Sequence, residues 1–472
     1  MTRLRTAYHL LALVLSSSSA IAQVSSADLT QHAKPKPLPG GAVIEDSPGF
    51  LGPRRDGHSR ETKLQHDFGL EGPTLLWERS RGQGYAGPAL ASGVLVFPHA
   101  RDGVMHVDAL EPSTGKLLWR RSRPYEYEPP YIKNEGPRAT PQIDGEHVFV
   151  LGIDNTLAAY ELKTGEPLWQ RDLRAEHGAH DDFFGAVASP LPIGDNLILN
   201  IGAKGGPSVV ALSKATGELV WGVESTWGAS CASPVLAQFG GKQQLLVMAG
   251  GESRPPVGGL LVLDPATGAE RWRYPFRSRT FESVLGANAI IAGDQVILTA
   301  SYNTGTAAVS VDKDGTWSET WALREPGCEF QNPVYSNRLV HLVDGASGRV
   351  GAIVALDPSN GKTVARTSLT WKETLHIRGS EPKERSSSIG QAALLAVDGA
   401  LLVLGDSGHL LWVQSTAEGA TIEARTKLFF ARETWTPPVV HRGLLYVCQN
   451  NPDQESGVGP RLLCYDLRAK AD

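Results

Sequence analysis

Short apolar runs recur along the whole chain, each bounded by Gly, Pro or polar residues: VLVF, HVFVLG, NLILN, QLLVMAG, QVILTA, RLVHLV, ALLVLG and LLYVC. Runs of this kind between turn residues predict buried strands, and no long stretch carries Leu, Ala, Glu and Lys at helical spacing. A Pro-headed segment precedes most of them: GPALA from Gly87, TPQI from Thr140, SPLPI from Ser189, SPVLA from Ser233, NPVYS from Asn332 and PPVV from Pro437. After each apolar run the chain enters a further strand, a polar turn, and a last strand that carries a tryptophan. The grammar is therefore four strands, repeated.

The repeat is visible without any alignment tool. ALEPSTGKLLW, AYELKTGEPLW, ALSKATGELVW and VLDPATGAERW end at Trp119, Trp169, Trp221 and Trp272, and LLW stands alone at Trp77. Weaker copies run to Trp321, around Gly361 and around Gly419, and CYDL closes the series at Leu467. A period of about fifty residues lies in the propeller range. In the turn, Thr and Asp/Glu side chains can accept backbone hydrogen bonds, while Gly115, Gly165, Gly217 and Gly268 tolerate positive φ. Each tryptophan then offers a large flat surface to the neighbouring blade.

Counting quartets predicts an all-β, eight-bladed β-propeller of four-stranded antiparallel blades, with blade ends near Arg121, Arg171, Glu224, Tyr274, Leu323, Leu369, Leu428 and the C-terminus. The last blade stops after its third strand. The phrase TLLWERS at 74–80 is a fourth strand without a blade, so it is expected to complete blade eight and remove an open sheet edge.

The blade phrase Ala/Val-x-Asp/Glu-x-x-Thr-Gly-x-x-x-Trp resembles the tryptophan motif of the PQQ-like β-propeller repeat proteins, which include quinoprotein alcohol dehydrogenases and the outer-membrane assembly scaffold BamB. SPGFLGPRRDGHS (47–59) and GPRATPQIDGEHVFVLGIDNTLAAYELKTGEPLWQRDL (136–173) are similar to a secreted bacterial subgroup of that family, in which a tryptophan commonly stands where Ser47 is here. The resemblance implies the fold, and by family name alone it brings in PQQ and Ca²⁺. The adjacent cysteines, calcium-binding Glu/Asn/Asp set and CxxCH haem motif of quinoprotein dehydrogenases have no counterpart that can be mapped onto this chain.

Charge changes little: 45 Lys+Arg stand against 50 Asp+Glu, so nucleic acid is not an expected partner. Arg3 and Arg5, the apolar Tyr8–Leu15 stretch and Ala20-Ile21-Ala22 read as a signal peptide (1–22) cleaved before Gln23, which predicts an exported, periplasmic or extracellular protein without a transmembrane segment. A Pro-bearing flexible lead-in is expected over 23–70 and one propeller domain over 71–472. Cys231, Cys328, Cys448 and Cys464 are too few for a disulfide scaffold. If blade two pairs Leu151 with Ala158, the repeat puts Cys448 opposite Leu463 and turns Cys464 to the other side, which argues against a bridge; a register shift would leave one open.

Candidate chemistry sits on the loops of one face, between blades (122–136, 174–187, 370–389) and between second and third strands (250–258, 449–459). AEHGAHDDFFG offers His177, His180, Asp181 and Asp182, a weak metal candidate without assignable partner residues; the alternative is a polar loop whose aspartates cap backbone N–H groups. No catalytic constellation appears. Three residues before the strand-heading proline stand Tyr85, Arg138, Val187, Cys231, Phe330 and Trp435, and Arg138 is the one charge among them. Arg138, Tyr85, Phe330, Gln331 and Trp435 are therefore expected at the mouth of the axial channel, where Arg138 either braces carbonyls of adjacent blades or receives an anionic ligand. The leading expectation is a monomeric, non-catalytic propeller that binds a protein or glycan partner through this face. A cofactor-binding oxidoreductase and a structural scaffold of an envelope assembly are the alternatives.

Overall fold

The structure is a computed structural model. It describes residues 28–470 except 70, 129–130, 132–133, 181–182, 204, 282, 347–348 and 376–380. The signal-like segment and both aspartates of the histidine-bearing loop lie outside the described residues.

Seven four-stranded antiparallel sheets span 89–124, 142–172, 191–224, 235–275, 290–323, 334–368 and 392–427, and these are blades one to seven. Blade eight combines three C-terminal strands (Val439–His441, Leu444–Gln449, Arg461–Asp466) with Thr74–Ser80, which pairs with the last of them so that Thr74 faces Asp466 and Trp77 faces Cys464. A further short strand, Leu29–Gln31, adds to the outer edge of Thr74–Ser80. A two-stranded hairpin, Thr370–Leu375 with Lys383–Ser388, projects between blades six and seven. The expected blade ends fall within a few residues of the observed ones.

The repeated turn works by two contacts. In blade two the Gly165 amide donates to Glu161 O at 2.8 Å, while the Glu161 carboxylate accepts from Thr164 N at 2.5 Å. Gly165 has φ +69°, and a Cβ there would lie 2.5 Å from Cδ2 of Trp119 in the preceding blade. The tryptophan thus rests on bare backbone and also donates its Nε1–H to Leu162 O at 2.9 Å. Trp77, Trp169 and Trp321 make the same hydrogen bond, to Pro112, Lys214 and Pro358 carbonyls. Trp221 packs on Gly268 in the same way, whereas Trp272 stacks instead on Trp317, with ring centroids 5.3 Å apart.

Where Thr74–Ser80 meets blade one, buried charge joins the two. Asp108 is fully buried and accepts from Arg120 at 2.5 and 2.6 Å, with His99 at 3.4 Å and Arg79 of the exchanged strand at 3.7 Å. Burial raises the carboxyl, but the Arg120 and His99 hydrogen bonds outweigh it and hold Asp108 well below the ordinary range.

Two expectations need correction. Leu151 pairs with Leu157 and Cys448 with Leu462, one residue tighter than the turn at Asp154-Asn155 suggests, so Cys448 and Cys464 are diagonal neighbours on one face. Both pack in the interface between blades eight and one as buried free thiols, offset by two residues along the ladder. The second correction concerns the lead-in, which is not a loose tether: its residues 47–59 enter the ring, as described next.

Candidate functional site: the axial mouth

The first strand of each blade lines the axis, running in most blades from a Pro-headed start toward a turn at the opposite face. The lead-in closes that far end. Ser47 pairs with Leu90 of blade one, Pro48 O accepts from Ile143 N of blade two, and Ala396 of blade seven bonds both Gly57 and Ser59. His58 reaches Tyr335 O of blade six at 2.5 Å. At its centre Arg55 is buried and donates to Ser189 O at 3.1 Å, Pro234 O at 3.3 Å, Gln142 Oε1 at 2.9 Å and Pro190 O. These acceptors belong to blades two, three and four. Burial drags the guanidinium down to about 9, so it stays a cation at neutral pH.

The near end remains open as a pocket of about 320 Å³. All six residues that precede the strand-heading prolines line it: Tyr85, Arg138, Val187, Cys231, Phe330 and Trp435. Gln331 joins them, and Phe50 of the lead-in lines this pocket on one side and a void of about 30 Å³ beneath it on the other. Phe330 stands at 69° to Trp435, with centroids 4.9 Å apart, and Tyr85 leans on Trp435 at 5.2 Å.

Arg138 adjoins this cluster through Tyr85. Its guanidinium lies 5.6 Å from the Tyr85 ring and 5.5 Å from that of Phe184, and it donates to Asn134 O at 3.0 Å. Its Nε is buried without an acceptor, and burial lowers the side chain's pKa. The bond to Asn134 stays within its own loop, so the brace between blades is Arg55 and not Arg138.

Two carboxylates absent from the sequence expectation share the pocket. Glu433 accepts from Tyr85 Oη at 2.5 Å and Asn451 Nδ2 at 3.1 Å; Glu329 accepts from Tyr302 Oη at 3.0 Å and from Gln391 Nε2. Burial, then the Glu433 hydrogen bond, pushes the Tyr85 phenol well above its usual value, so it remains the donor. Glu329 directly precedes Phe330 and Glu433 lies two residues before Trp435, adjacency that was available in the sequence. Phe184 comes from a neighbouring loop and Phe50 from the lead-in, and only folding brings either here.

The histidine-bearing loop lends Phe184 to the mouth, but neither His177 nor His180 lines it. His177 ends a short helix, Leu173–His177, and the His180 amide donates to Ile201 O at 3.1 Å. Among the described residues no group of three or more His, Cys, Asp or Glu converges as a metal site, and no helix is long and apolar enough to cross a membrane.

The profile of the family described as outer membrane protein assembly factor BamB matches residues 104–367, more than half of the chain. The chain belongs to that family. Among solved structures, it is similar to BamB from Moraxella catarrhalis, at 15% identity over 84% of this chain and 99% of that one, with a TM-score of 0.53. It is also similar to the quinohemoprotein alcohol dehydrogenase of Comamonas testosteroni, at 14% identity over 92% and 82% of the two chains, TM-score 0.61. At these identities the likeness shows the fold alone. A curated relative, quinoprotein alcohol dehydrogenase PedE of Pseudomonas putida, is 30% identical over 29% of this chain, and the match spans only 21% of that protein.

The likeness to quinoproteins makes the fit of a quinone a question for this mouth. PQQ is a flat tricarboxylate, so its holder must supply cations or a metal. Here a single guanidinium shares the pocket with two carboxylates whose described hydrogen-bond donors are neutral, and the chain has no adjacent cysteine pair to clamp a flat ring. The residues present do not fit that group.

Proposed function

We propose that this BamB-family propeller is an exported, non-catalytic monomer that holds a protein partner on its loop-rich face, with the axial mouth as the anchor. The observation that carries the reading is the mouth itself: an aromatic cup at the centre of the long-loop face, sealed below by the lead-in. A preformed concave site with a few placed polar groups is where binding is expected on a rigid scaffold. A groove of about 600 Å³ over blades five and six continues from the mouth, since Tyr302 and Glu329 line both, and it suits an extended polypeptide. Aromatic faces beside carboxylates also suit sugar hydroxyls, so a glycan partner is the competing outcome.

Affinity capture from envelope extract with the wild type, Trp435→Ala and Arg138→Ala tests the reading. A protein partner retained by the wild type and lost by correctly folded mouth variants is the expected result. Retention by both variants, or capture of glycan alone, overturns it. The oxidoreductase reading is tested separately by visible and near-ultraviolet absorbance with added quinone and Ca²⁺, where a stoichiometric quinone signal would reinstate it.

A further inference from the structure

We infer that the axial mouth is a receptor for one basic side chain, lysine or arginine, which the protein partner inserts between Trp435, Phe330 and the carboxylates of Glu329 and Glu433. The inference rests on the reading of the mouth as the partner's anchor and adds the chemistry of what enters it.

Two independent features converge on a cation. Trp435 and Phe330 form a steep aromatic corner, their planes 69° apart, with Tyr85 tilted against Trp435 as a third ring. Aromatic faces so arranged attract a cation through their quadrupoles, and the attraction grows as water is excluded. On the same side of the mouth, Glu433 is positioned by Tyr85 and Asn451, and Glu329 by Tyr302 and Gln391. These four donors are neutral: they orient the two carboxylates without forming an ion pair. A half-buried carboxylate in a pocket of reduced dielectric interacts more strongly with an opposite charge than it would in water.

Arg138, the cation that lines the pocket, acts on Glu433 through space but forms no ion pair with either carboxylate among the described residues. Arg138 is on blade two, across the axis from Glu329 at blade six, and lies against Tyr85 and Phe184 with its hydrogen bond to Asn134. It polarises the mouth, positive at blade two and negative toward blades six and eight. An incoming ammonium or guanidinium is steered to the carboxylate side. An anionic group approaching Arg138 would instead meet two carboxylates across a pocket of about 320 Å³.

The test uses the full mature chain and four blocked glycine-rich pentapeptides with a central lysine, acetyl-lysine, norleucine or glutamate, followed by tryptophan fluorescence and calorimetry. The lysine peptide is expected to bind at least about tenfold tighter than its three neutral or acidic counterparts, a preference that salt weakens. Glu329→Gln with Glu433→Gln keeps the shape of both side chains and should abolish the preference; should that double variant misfold, lysine against acetyl-lysine on the wild type decides alone. Equal binding of those two peptides, preference for glutamate, binding of neutral oligosaccharide only, or binding of none of the peptides overturns the inference. A captured partner that needs Trp435 but ignores both glutamine substitutions would leave the anchor standing and remove the basic side chain. A partner indifferent to Trp435→Ala would remove the anchor itself.

Discussion

The two ends of the axial channel hold the same kind of side chain in opposite circumstances. Arg55, at the sealed end, donates to four acceptors on three blades, whereas Arg138, at the open end, makes one hydrogen bond within its own loop and lies against two aromatic rings. A guanidinium whose donors bridge several blades is a brace, and one that lines a cavity with a single hydrogen bond inside its own loop is available to a ligand. The difference lies in reach. Arg55 sits on a loop threaded up the channel, within range of carbonyls at the starts of the first strands; Arg138, on the segment leading into blade two, has a hydrogen bond to Asn134 O of its own loop.

That contrast can be broken most directly at Arg55. Replacing it by Met leaves three carbonyls and the Gln142 amide oxygen buried without a donor, for an expected loss of about 4 kcal/mol in denaturant unfolding, since each abandoned acceptor costs about 1 kcal/mol or more. A loss no larger than that of Arg138→Ala would erase the distinction between the two ends. Gly49→Ala sharpens it: a Cβ there would lie 2.3 Å from Gln142 Oε1, so either the Gln142 amide that holds Arg55 or the lead-in must shift, at an expected cost of about 1–2 kcal/mol read from the same unfolding curves.

Beside the mouth, Asp406 of blade seven offers a pH test. Burial raises its carboxyl to about 6 despite backbone donors at Gln391 and Gly390. The folded chain therefore binds that proton more tightly than the unfolded one, and stability falls as pH rises from about 4 through 6. Asp406→Asn should raise the melting temperature at pH 7 and leave it nearly unchanged at pH 4; a neutral or destabilising effect at pH 7 would show that the open end carries no such strain. The smallest stability effect is expected at Arg138→Ala, less than about 1 kcal/mol, because one loop hydrogen bond and two ring contacts are lost at the rim of a cavity. Its effect on partner capture should be large by comparison.

Much of the architecture was legible because each blade repeats the same local problem. The apolar run, the Asp/Glu-x-x-Thr-Gly turn and the tryptophan recur within one unit, so strand ends and the strand completing blade eight followed from counting. The channel mouth was legible for the same reason: three residues before a proline is a position with the same geometry in every blade. Register was less so. A turn that closes one residue tighter moves Cys464 from one face of blade eight to the other, and a backbone turn of that kind depends on φ/ψ values that Asp154-Asn155 leaves open. The function of SPGFLGPRRDGHS was hidden further still, because its Pro and Gly content is also that of a linker.

Sequence by itself determined the ring: how many blades, which strand closes it, and which six positions converge on the axis, all consequences of short-range pattern repeated in register. Only the tertiary structure decided what the axis contains. Phe50 and Arg55 arrive from the lead-in, Phe184 from a loop of another blade, and the carboxylates of Glu329 and Glu433 are aimed by Tyr302, Gln391, Tyr85 and Asn451, partners 18 to 348 residues away. Contacts of that separation carry no periodic signal, since they depend on how eight twisted sheets pack around one axis and not on the order of residues within any one of them.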